Sequence, residues 1–197
     1  MKKFIIIFFV LPFFVHAQLS PENAGTDLEA LAKNIVNQCA NIQTDEIVFI
    51  NGNARDIELL ENLAVNVRKN GAFPVLTVSS DRLTRKMFTE VPEKYDTQFP
   101  KLNMEIVKMM TAQINVTSGD TPGLLADIPP ERFVTRNKAQ KPVNDFYRES
   151  AIKSVQLGNG LYPTKNRADQ FEMPVDQLAK MFWDAINMDY NQLTGIG

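Results

Sequence analysis

The sequence is poor in the side chains on which most site chemistry depends. Among 197 residues there is one cysteine, one histidine and one tryptophan. A single cysteine, Cys39, permits no internal disulfide and no zinc site built on several thiolates. Positive charge is not in excess: 21 Lys and Arg stand against 23 Asp and Glu, a formal charge of −2. That leaves no basic field for a phosphate backbone, so nucleic acid is not an expected partner. No internal repeat, Gly/Ser linker or charge block divides the chain. At 44% hydrophobic and 22% charged, its make-up is that of a globular protein.

The one long apolar run lies at the start. Lys2 and Lys3 precede an unbroken stretch from Phe4 to Val15, and Val15-His16-Ala17 carries residues a signal peptidase accepts. The run falls short of the ~20 residues that span a bilayer and contains Pro12. Residues 1–17 therefore read as a signal peptide cleaved after Ala17, which implies export to a periplasm or the exterior. Contact with a membrane is expected only through this leader. Cleavage removes both lysines, making the mature chain two charges more acidic, and it removes His16, the sole histidine. A mature chain without imidazole excludes a Ser-His-Asp triad, a Cys-His pair, a His-ligated zinc and a histidine base. Carboxylate and lysine chemistry remain open.

Residues 18–197 have the size of one domain. Thr26 with Glu29 three residues on predicts a capping box, followed by a helical stripe of Leu28, Leu31, Ile35, Cys39 and Ile42. Cys39 on that stripe reads as a small buried hydrophobe. Ile47-Val48-Phe49-Ile50 is a buried strand ending in Asn51-Gly52-Asn53. A helix with Ile57, Leu60, Ala64 and Val67 stops at Gly71. Further strands are predicted over 73–78, 112–116 and 152–157. Helices are predicted over 82–89, around Leu102, Ile106 and Met109, from Pro129-Pro130 to about Ala151, and from Pro174 onward, burying Val175, Leu178, Phe182 and Ile186. The alternation predicts an α/β fold of three layers: about four mostly parallel strands with helices on both faces.

Ligands of such sheets sit beyond the carboxyl ends of the strands. The residues there are Asn51, Gly52 and Asn53 after the first strand and Ser79, Ser80 and Asp81 after the second. Asn51-Gly52-Asn53 lacks the further glycines of a dinucleotide fingerprint and the Gly-Lys-Ser/Thr of a P-loop, so a tight turn and helix cap explain it. Glu131 suits a helix N-terminus, Asp45-Glu46 a solvated turn, and Met104, Met109 and Met110 a filled core. Asn115-Val116-Thr117 matches a glycosylation sequon but overlaps a buried strand. No catalytic, cofactor or metal constellation emerges. Asn51, Asn53 and Ser79 remain as crevice candidates for a small ligand, in a stand-alone exported binding module without enzymatic activity.

The C-terminal third carries an ordered set of segments. Arg136-Asn137-Lys138-Ala139-Gln140-Lys141-Pro142 lies on a helix, and a strand follows. Tyr162-Pro163-Thr164, Ala168, Met173-Pro174-Val175-Asp176-Gln177-Leu178 and Asp189-Tyr190 come next. This order resembles the N-terminal domain of the thermophilic metalloaminopeptidases, the aminopeptidase T and S group, across nearly all of residues 23–190. It departs from them at Lys153-Ser154-Val155, where the family tends to show a Trp, at Pro174 in place of Ser, and in having a leader. The resemblance adds Tyr162 and Thr164 to the crevice candidates. It implies removal of N-terminal residues from peptides by two divalent ions of the zinc or cobalt type. Those ions are held by glutamates, histidines and an aspartate in a C-terminal domain, so no metal is expected on this chain and it is expected to be inactive alone. Peptide substrates, were it joined to a catalytic domain, and a homo-oligomer are the implied partners.

Overall fold

The computed structural model describes residues 26–117, 121–158 and 161–186; the expected leader and Asp189-Tyr190 lie outside them. Four parallel strands form one sheet: β1 (Ile47–Asn53), β2 (Phe73–Ser79), β3 (Ala112–Val116) and β4 (Lys153–Leu157), in the order β2-β1-β3-β4. The order reverses between β1 and β3. The helices are α1 (Leu28–Asn34), α2 (Ile57–Lys69), α3 (Asp81–Thr89), α4 (Lys101–Met109), α5 (Pro130–Glu149), α6 (Lys165–Gln170) and α7 (Val175–Ile186). The α/β, parallel-sheet expectation is met. Among the described residues, no helix is long and apolar enough to cross a membrane.

On one face, Val48, Ile50, Ala112, Ile114 and Leu157 meet Leu31 and Ile35 near the N-terminus, Leu59, Leu60 and Leu63 of α2, and Ala179 and Trp183 of α7. α4 and α5 pack on each other over the opposite face. α2 ends as the sequence predicts. Gly71 adopts a φ of +81°, its N–H donates to Arg68 O, and the Ala72 N–H donates to Val67 O. These are the two bonds of a Schellman stop, and only the first of them needs a residue free of Cβ strain.

Several local expectations are corrected. The cap of α1 is Asp27, whose carboxylate accepts from the Ala30 N–H at 3.0 Å. Glu29 instead turns outward to Lys69 (2.7 Å) and Asn66 (3.0 Å), so long-range pairing outcompetes the capping box. Cys39 is exposed, because a π-helical turn over Ile35–Cys39 adds a residue to the period. Ala40 takes the inward place, its N–H reaching back five residues to Ile35 O. Ile57 is exposed while Leu59 and Leu63 are buried, since α2 starts after a 3-10 turn at Ala54–Asp56 that rotates its stripe. Met109 and Leu102 are exposed and Met104 and Met110 half-buried; α4 buries only Val107. In α7 the buried residues are Leu178, Ala179 and Trp183, with Val175, Phe182 and Ile186 partly covered. Glu46 is no free turn residue: it pairs with Lys153 at 2.7 Å, tying the start of β4 to the loop before β1.

Candidate functional site

Side chains along a strand alternate between faces, so neighbouring rows across a sheet face opposite ways. The row Leu76–Ile50–Ile114–Val155 is wholly apolar: Ile50 and Ile114 lie in the core and Val155 packs against it, while Leu76 on the edge strand stays exposed. The next row, Thr77–Asn51–Asn115–Gln156, is wholly polar and uncharged. Gln113 and Ser154 pair one row earlier on this same face. A parallel sheet covered on both sides ordinarily carries apolar residues on both. Here one face is a core, and the other mixes amides and hydroxyls with Phe49 and Val75, which share the row of Gln113 and Ser154.

Between this polar face and α4 and α5 lies an open cavity of about 360 Å³. Phe49 and Met110, with Ile106 and Val107 of α4 and Val143 of α5, provide apolar walls. Asn51, Thr77, Asn103, Gln113, Asn144 and Tyr147 bring polar groups to it, and no carboxylate or cation lines it. Asn51 Nδ2 donates to Asn115 Oδ1 at 2.8 Å. Gln113 Nε2 donates to Tyr147 Oη at 2.5 Å and to Ser154 Oγ at 3.2 Å, linking β3, α5 and β4.

The candidates read from sequence have distinct fates. Asn51 lines the cavity. Asn53 accepts from the Arg55 N–H at 3.2 Å and donates to Asp81 Oδ1 at 3.4 Å, while Arg55 lies 3.8 Å from Asp81 and Thr121 also donates to it. That cluster fixes the turns after β1 and β2. Ser79 Oγ donates to Gly52 O at 3.3 Å, closing the ends of the same two strands. Tyr162 is buried, its ring 5.6 Å from Trp183 and edge-on to it. Its Oη donates to Asp56 Oδ1 at 2.8 Å, which couples the segment before α6 to the turn after β1. Thr164 caps α6, accepting from the Arg167 N–H at 3.3 Å. The structure therefore joins Asn53 and Ser79 at the strand ends and leaves Tyr162 and Thr164 apart from the cavity. The residues missed were Thr77, Gln113, Asn115 and Tyr147. Their signal was the alternation of Gln113 and Asn115 with Ala112, Ile114 and Val116.

Carboxylates with displaced acidity lie elsewhere, in ion pairs. Hydrogen bonds from Arg85 (2.7 Å at both oxygens) hold Asp127 down at about 2. Hydrogen bonds from Arg132, at 2.6 and 3.0 Å, are the main cause that holds the Asp96 carboxyl below the usual carboxylate range, with Arg136 at 2.7 Å adding to it. Both partners of the Asp96–Arg132 pair are buried, and Arg136 also stacks 3.8 Å over the Phe88 ring. This cluster clamps α5 to the last turn of α3 and the segment after it through Arg132 and the carbonyls of Phe88 and Val91. Among the described residues, no three His, Cys, Asp or Glu side chains converge as metal ligands would.

A family model for thermophilic metalloprotease (M29) matches residues 24–193. No curated protein matches the chain. Among solved structures, wild-type AmpT from Thermus thermophilus is similar, with a TM-score of 0.61 and 19% identity. That likeness, which concerns the fold, covers 81% of this chain and 42% of the AmpT chain. This chain thus spans less than half the length of the structure it matches. With the family model covering nearly the whole described region, the chain belongs to the thermophilic metalloprotease family.

Proposed function

We propose that this chain is the N-terminal, non-catalytic part of an exported peptidase that removes N-terminal residues from peptides with two divalent metal ions. The family match over residues 24–193 is the observation that carries this reading. The metals of such a family find no fitting ligand set among the described residues, and the only histidine, His16, falls in the predicted leader. In this reading the ligands come from residues outside this sequence, and this chain shapes access for peptides and supports assembly. Exposed apolar side chains on the edge strand β2 (Phe73, Val75, Leu76 and Val78) support a role in docking.

The test is an assay of the purified chain with a leucine anilide in the presence of zinc or cobalt, with metal content measured in parallel. No released product and no stoichiometric metal are expected; turnover with bound metal overturns the reading. N-terminal sequencing of the native protein tests the export step, which a retained Met1 would sink. The polar cavity favours a second reading, an exported module that binds a small ligand.

A further inference from the structure

We infer that the cavity between the polar sheet face and helices α4 and α5 is a binding site for a small uncharged molecule that presents both hydrogen-bond donors and acceptors from a flat apolar body. This inference takes up the second reading and names its ligand class; it stands apart from the peptidase reading, so an inactive chain leaves it untouched. At about 360 Å³ the cavity lies at the small end of the ~300–1,000 Å³ of ligand sites.

The class of ligand follows from which atoms are already used. Asn51 and Asn103 each donate one N–H, to Asn115 and to Gln140, while Gln113 donates both of its own, to Tyr147 and Ser154. Among the described residues, none of their three carbonyl oxygens accepts a hydrogen bond. The cavity therefore offers acceptors, and it keeps donors as well: a second N–H on Asn51 and on Asn103, the Asn144 amide, and the Tyr147 hydroxyl, which accepts from Gln113. An occupant that both donates and accepts matches it. No charged side chain lines it, so an ion would enter a partly desolvated site without a counter-charge. The aliphatic walls and the Phe49 ring favour a planar body. An amide carried by a ring or by a peptide unit satisfies all these conditions.

Three probes that share one ring separate the possibilities: benzamide, benzoate and benzylamine. Each is titrated into the full chain while the backbone amide signals are followed by nuclear magnetic resonance. Benzamide is expected to shift Val107, Met110 and Tyr147 saturably, with benzoate and benzylamine binding at least about tenfold more weakly. Asn144 is exposed, lines the cavity and makes no side-chain hydrogen bond among the described residues, so Asn144→Asp leaves the packing alone. That variant is expected to reverse the order of benzamide and benzylamine. Met110→Trp, which fills the cavity, is expected to abolish the benzamide shifts while the remaining spectrum stays folded. Cytosine and N-acetylglycinamide then present the same donor as a base and as a peptide unit, and the tighter identifies the source. The proposal is overturned if benzamide gives no saturable shifts, if they map away from these residues, or if either ion binds the native chain as well as benzamide does.

Discussion

Gly52 is where the sheet and α2 come closest, and replacing it tests how that approach is held. A Cβ built at residue 52 would lie 2.6 Å from Leu60 Cδ2, 2.9 Å from Cδ1 and 3.2 Å from Cγ. Leu60 is fully buried in the same core cluster as Ile50 and Leu63, so its packed neighbours resist its moving aside. Gly52→Ala therefore forces either an off-rotamer leucine or a displaced α2. Overpacking of this kind costs ~1–3 kcal/mol, offset by ~0.4–1 kcal/mol from the stiffer unfolded chain. A net loss of about 1–2 kcal/mol corresponds to roughly 2–8 °C in Tm for a domain of this size. The decisive measurement is a double-mutant cycle by urea unfolding. Leu60→Ala alone should cost ~2–5 kcal/mol through its cavity. Added to Leu60→Ala, Gly52→Ala meets no obstacle and partly refills the space, so it should be neutral or stabilising there. A loss of equal size in both backgrounds, with coupling under about 0.5 kcal/mol, would refute the contact.

The ion pairs and the thiol give further tests. Asp127, held at about 2 by Arg85, should titrate near that value by carboxyl-carbon resonance, and Arg85→Gln should return it toward the ordinary carboxylate range. Because the folded value is depressed, the pair's stabilisation is complete above the ordinary range and is lost as pH falls toward 2. Asp96 is lowered for the same kind of reason, so Arg132→Met should destabilise the chain most near neutrality. The gap from the native protein in urea midpoint should then narrow on acidification through the carboxylate range; a gap constant with pH would show that the carboxylate is not involved. Cys39 is exposed yet partly desolvated, which pushes its thiol up. It should react with a disulfide reagent in the folded state, with a pH–rate midpoint above that of a free cysteine measured alongside.

The strand and helix pattern was legible because period and punctuation agree in this sequence. Ile47–Ile50, Ala112–Val116 and the Gly71 stop read directly onto β1, β3 and the end of α2. Errors arose where one extra residue rotates a stripe, as in the π turn that turns out Cys39 and the 3-10 turn that turns out Ile57. Such insertions leave composition unchanged, and a fixed 3.6-residue template passes over them. The short helix α6 was hidden because its cap, Thr164, was read as part of a motif. The cavity was hidden for another reason. Asn51, Thr77, Gln113 and Tyr147 come from four separate elements, and only the register of a parallel sheet puts the first three on one face.

That register also carries the energetic case for the cavity. A row of amides beneath two helices is costly when unsatisfied, at ~1–3 kcal/mol for each buried polar group without a partner. Here the cost is limited in two ways. Asn51 pairs with Asn115, and Gln113 with Tyr147 and Ser154, while the cavity stays open so that the remaining oxygens reach solvent. A purely structural second layer would do better with the valines and isoleucines found one row away on the core face. The chain instead keeps α4 loosely seated, with Leu102 and Met109 exposed and only Val107 fully buried. A mutation to Leu at Gln113 separates the two accounts. It should leave the core face intact and tighten α4 and α5 onto the sheet, raising the urea midpoint while abolishing benzamide binding. Loss of stability together with loss of binding would mean that the Gln113 bonds hold the layer in place, and that the polar face is architecture and not a site.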